Sequence, residues 1–172
     1  MRRRTKGQSM VEMALLLPLM LVVLFGIIDF GWYVYGYATV YMASRSGAEK
    51  ATMLPPLETR VGANVDPDST NQCVSSIYKQ IAQTAPLFED IVDSGNIRIS
   101  YPDATNKKSG RLLGSTVEVK VSYDITPLTP LFRLVGFGNE GALNATVTTR
   151  RTIESLGDTP NANVAPNFAA CN

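Results

Sequence analysis

The chain has no histidine among its 172 residues. That absence removes Ser-His-Asp and Cys-His catalysis, histidine metal ligands and the commonest general base together. Two cysteines, Cys73 and Cys171, are too few for a structural zinc site. No glycine-rich phosphate loop and no GxSxG occurs. Paired carboxylates remain, at Glu89, Asp90 and Asp93, and a membrane-tethered hydrolase built on them is the catalytic alternative; such a cluster reads first as a solvated helix end. Net charge is +1, from 16 bases against 15 acids, but four of those bases are Arg2, Arg3, Arg4 and Lys6. Positive charge is therefore an N-terminal tag and no nucleic-acid face is expected. The sequence predicts no enzyme, no cofactor, no metal site and no small-molecule substrate.

What the chain does have is a long apolar element. Sixteen uncharged residues, MALLLPLMLVVLFGII, separate Glu12 from Asp29, and fifteen more separate Asp29 from Arg45. A helix rises about 1.5 Å per residue, so Glu12 to Asp29 spans about 25 Å, a little less than the roughly 30 Å hydrocarbon core. Each acid is thus expected near one interface. Trp32, Tyr33, Tyr35, Tyr37 and Tyr41 follow where an aromatic belt belongs. Basic residues precede the span, so the N-terminus is expected in the cytoplasm and the remainder across the membrane. The apolar run is too long for an ordinary signal peptide and lacks a small-x-small cleavage site. Pro18 deletes the backbone bond to Ala14 and favours a bend. Gly26, Gly31, Gly36, Ala38, Ala43 and Gly47 offer small surfaces where another helix can approach closely.

Glu12 is the residue that asks for an explanation. An acid inside a membrane helix costs about 2.5 to 3.5 kcal/mol on insertion scales, so it normally faces water, a partner or a functional site. One explanation is the first helical turn, where the macrodipole favours an acid by about 0.3 to 1 kcal/mol. The pattern around it is more specific. Basic residues, then Gly7, then Glu12 at the fifth position after it, then an apolar helix, together resemble the processing signal of type IV prepilins and pseudopilins. The resemblance implies cleavage between Gly7 and Gln8 by a prepilin peptidase, and a role for Glu12 in assembly. Cleavage would remove the cations that pin the helix to the cytoplasmic face, and would expose an α-amine on Gln8 for pairing with Glu12. The stretch VEMALLLPLMLVVLFGIIDFGWYVYGYATVYMASRSGAEKA further resembles the TadE-like family of tight-adherence pilus proteins, through Glu12, Pro18, Gly26, Asp29, Phe30 and Gly31 and then Ala43, Ser44, Arg45, Gly47 and Ala48. This covers roughly residues 7 to 52. Gln8 departs from the Phe that prepilins often carry after the cut, so neither methylation nor a free amine follows from the resemblance. The chain is also longer than the major tight-adherence pilin, which fits a minor pilin or pseudopilin.

Beyond the helix, residues 54 to 72 read as a linker rich in proline and polar side chains. Val74, Ile77, Tyr78, Ile81, Ala82, Ala85 and Phe88 fall on one helical face, with Pro86 as a bend. Alternation predicts strands at Ile97 to Tyr101, Val117 to Ile125 and Leu143 to Ile153. Lys107, Lys108 and Arg111 lie in a turn-rich connection. The segment TPLTPLFRLVGFG, residues 126 to 138, either packs under the sheet or makes a subunit contact. Cys73 and Cys171 fall on the exported side, where disulfides persist. A bridge closing about 100 residues adds up to about 4.7 kcal/mol on the chain-entropy model, with free thiols as the alternative.

The expected architecture is α+β. A leader (1–7) precedes a transmembrane assembly helix (8–53), a linker (54–72) and an exported head with tail (73–172), in which one helix packs on a short antiparallel sheet. The resemblance implies a bacterial inner-membrane protein whose partners are the membrane, the prepilin peptidase, other pilins or pseudopilins and the pilus assembly platform. The competing expectation is an uncleaved single-pass anchor with a partner-binding periplasmic head, for which Glu12 would be dispensable.

Overall fold

A computed structural model describes residues 5–56, 72–93, 95–102, 112–136 and 141–155; of Thr5, Lys6, Gln8, Glu89 and Val135 it describes the backbone alone. The architecture is α+β: a long N-terminal apolar helix, then a small head with a helix and a three-stranded antiparallel sheet.

The first helix, α1, runs Thr5–Met53 and passes through Pro18 without interruption. Leu is the commonest residue of its first half and, like the Met residues beside it, a strong helix former. It stops where Pro55 and Pro56 end the supply of backbone donors, with the Leu54 amide still bonded to the Lys50 carbonyl at 3.1 Å. Helix α2, Gln72–Thr84, buries Cys73, Val74, Ile77, Tyr78 and Ile81. The i, i+3, i+4, i+7 spacing of Val74, Ile77, Tyr78 and Ile81 is the face expected from the sequence. It ends two residues before Pro86, and Ala85 and Phe88 enter the core from the turn that follows. A single 3₁₀ turn, Glu89–Val92, then buries Ile91.

The sheet has strand order β1-β2-β3, with β1 Ile97–Ser100, β2 Thr116–Ile125 and β3 Leu143–Thr152. Ile97 pairs with Val121 and Ile99 with Val119, so the apolar residues of both strands share one face. Ala145 and Val147 of β3 are buried as well. Arg98, Lys120 and Arg150 alternate with these residues and are exposed. This is the period of two that a half-covered antiparallel sheet requires. Between β2 and β3 lies a short helix, α3, Leu131–Val135, closed by Gly136 in the left-handed region at φ 71°.

The chain forms two compact units. One comprises residues 1–36 and 124–143; the other comprises 37–123 and 144–172. The second unit holds the main apolar core: Val40, Ala43, Ala48 and Ala51 of α1, Val74, Ile77 and Ile81 of α2, and Ile97, Ile99, Val117, Val119 and Val121 of the sheet, all at most 1% exposed. Ser44 of α1 ties into it by donating its hydroxyl to the Val119 carbonyl at 3.0 Å. The same hydroxyl lies 2.8 Å from the Thr149 hydroxyl, whose proton it can accept. Glu49, on the outer surface of the same unit, takes Arg151 at 3.0 Å.

Candidate functional site

The first half of α1 carries the residues that the sequence marked for processing and assembly. Gly7 and Glu12 are both exposed on the helix, and a Cβ placed on Gly7 would meet nothing within 4 Å. Apolar side chains around and beyond Glu12 are exposed as well: Met10 76%, Leu15 73%, Met20 71%, Phe30 69%. Such exposure is foreign to a soluble helix of this composition. Ser9–Met53 is long and apolar enough to cross a membrane, and none of its most apolar window is buried inside the protein. Pro18 sits on this exposed surface.

At Asp29 the pattern changes. Asp29 is fully buried, and its carboxylate is held from the other arm of the same unit. The Thr129 amide donates to Oδ1 at 2.9 Å and the Thr129 hydroxyl donates to Oδ2. A buried carboxylate is tolerable only with such donors, and bonds to an ionised acceptor are the strong kind. Four further contacts fasten the same region of the chain. Trp32 donates its indole N–H to the Thr126 carbonyl at 3.0 Å. The Tyr33 hydroxyl donates to the Gly141 carbonyl, and the Tyr33 ring meets Phe132 edge-on at 5.7 Å. Gly36 lies so close to Ile125 that a Cβ would sit 2.7 Å from its Cδ1. Residues 126–136 thus form a strap fastened along α1. The two arrangements expected for TPLTPLFRLVGFG are packing under the sheet and a subunit contact; its described part, residues 126–136, packs along α1 of the same unit.

The small residues of α1 divide accordingly. Asp29, Tyr33, Gly36, Val40, Ala43, Gly47 and Ala51 are all buried and recur three or four residues apart, the spacing of one helix face. At Gly47 a Cβ would come within 2.8 Å of Ile81. Around Gly26 and Gly31, by contrast, a Cβ would meet nothing within 4 Å, and Ala38 is exposed. Gly36, Ala43 and Gly47 therefore serve packing within the chain.

Cys73 is disulfide-bonded, and Cys171, its expected partner, lies outside the described residues. Lys107, Lys108 and Arg111 also lie outside them. Asp90 and Asp93 are exposed at the 3₁₀ turn, and no cluster of potential metal ligands occurs among the described residues.

An exposed apolar helix that carries Gly7 and Glu12 and has its first buried described residue at Asp29 is the feature that comparison with known families tests. Residues 7–49 match the family model described as TadE-like protein. The TadE-like segment covers about a quarter of the chain and contains Gly7, Gln8, Glu12, Pro18, Gly26, Asp29 and Gly31. It associates the chain with the tight-adherence pilus, and with a family not known for enzymatic activity. Together with the apolar helix, the TadE-like match supports membrane anchoring. No curated protein and no solved structure matches the chain.

Proposed function

We propose that this protein is a minor pilin or pseudopilin that enters a tight-adherence pilus after prepilin-peptidase cleavage between Gly7 and Gln8. The observation that carries the reading is the placement of Glu12: an exposed acid five residues after Gly7, at the head of an apolar helix surface that its own chain leaves uncovered. In the inner membrane, with the N-terminus cytoplasmic, that surface meets lipid. In a filament it meets the helices of neighbouring subunits. Glu12 then sets register, because a misaligned helix strands a charge in an apolar core. Gly26 and Gly31, open on this surface, are where neighbouring helices approach most closely. The exported head is braced by a bridge from Cys73 to Cys171, and the protein performs no chemistry of its own.

Replacement of Glu12 tests this directly. Glu12→Ala is expected to leave the protein in the membrane at normal abundance while abolishing pili, read by membrane fractionation and by counting filaments. Normal piliation in that variant removes Glu12 from assembly and leaves an uncleaved anchor as the better account.

A further inference from the structure

We infer that the strap at residues 126–136 is a second membrane contact, docking on the lipid surface of the exported leaflet beside α1. The inference rests on the reading of α1 as a membrane span. With Glu12 at the inner interface, about 25 Å of helix places Asp29 at or just inside the outer edge of a hydrocarbon layer about 30 Å thick. Whatever covers Asp29 therefore faces lipid on its own outer side.

The strap covers Asp29, and its composition fits that position. Three of its polar groups bond to α1: the Thr129 amide and hydroxyl donate to Asp29, and the Thr126 carbonyl accepts from Trp32. The Leu134 amide is satisfied by the Pro130 carbonyl at 3.0 Å. Irregular backbone at membrane depth is tolerated where protein satisfies its hydrogen bonds in this way. Leu128 is 61% and Leu134 82% exposed, in the same compact unit as the exposed Ile27, Ile28 and Phe30 of the helix to which the strap is bonded. Arg133, exposed on α3, is long enough to place its guanidinium among lipid phosphates while its stem stays in the apolar layer. Trp32, bonded to the Thr126 carbonyl, and Phe132, packed edge-on against Tyr33, add aromatic rings to this segment, the residue type enriched at membrane interfaces.

The test is a nitroxide scan of the full-length protein reconstituted in phosphatidylethanolamine and phosphatidylglycerol vesicles. Single labels go on Leu128→Cys and Leu134→Cys, with Leu19→Cys in the span and Lys79→Cys on the exposed side of α2 as references. Leu128 and Leu134 are exposed, so a label at either displaces no packed side chain. Expected is a rise in oxygen over nickel-chelate accessibility at 128 and 134 toward the value at 19 and away from that at 79. Water-like values at 128 and 134 with a lipid-like value at 19 overturn the inference and leave the anchor standing. Water-like values at 19 as well overturn both. Spin–spin broadening at 134 that vanishes on dilution with unlabelled protein means a second copy covers the strap, and overturns the lipid assignment.

Discussion

Residues 5–28 and 29–53 belong to one helix, yet they obey different rules. The first half buries no described side chain, whereas the second buries a face in which glycine, alanine, serine and threonine predominate. Hydrophobicity runs opposite to burial: the Leu- and Met-rich half is uncovered and the half rich in small residues is packed. Burial here follows shape complementarity within the chain, and the large apolar side chains are left for an environment the chain does not supply. Asp29 marks the change, as the first described side chain of α1 to be fully enclosed.

Substitutions that add bulk break or sharpen this contrast. Gly47→Leu carries the largest expected effect, because Ile81, fully buried, already stands 2.8 Å from where its Cβ would be. A β-branched side chain locked in a core has little room to give, so the cost is expected at the upper end of about 1–3 kcal/mol. Thermal unfolding followed by circular dichroism reads this as a fall of roughly 10 °C in the midpoint. Asp29→Ala is next. It strands two Thr129 donors at a cost of about 1–3 kcal/mol, confined to the strap. Amide exchange at Thr129 is expected to accelerate tenfold or more, while α2 and the sheet keep their protection, and Asp29→Asn recovers part of the loss. Smallest is Gly31→Leu, whose side chain enters open space. Its unfolding midpoint is expected to match the parent, and its effect is to appear instead as fewer filaments. Equal destabilisation by the substitutions at 31 and 47 would erase the distinction between the two halves.

Much of the fold was legible because large apolar residues announce their faces. The α2 face of Val74, Ile77, Tyr78 and Ile81 and the alternation of Val117, Val119 and Val121 emerge with the predicted periods. The packed face of α1 did not, since Gly36, Ala43, Ser44 and Gly47 carry almost no hydropathy signal and resemble a small-residue surface for another helix. Asp29 read as an acid waiting near an interface; its partner Thr129 lies 100 residues away, and no local pattern links the two. The one available sign was a threonine held between Pro127 and Pro130 in a largely apolar segment. Trp32 and Tyr33 read as a lipid belt, and the fold adds what no spacing announces, that their polar atoms bond to the Thr126 and Gly141 carbonyls. Sequence spacing finds contacts within an element; contacts that depend on where a distant loop returns need the fold.

The most direct test of the assembly account is the mass of the N-terminal peptide of the protein purified from membranes of hosts with and without the prepilin peptidase. The account predicts a start at Gln8 that appears only with the peptidase. A start at Met1 or Arg2 in both hosts would contradict it, leaving a strapped membrane anchor whose Glu12 serves some other end.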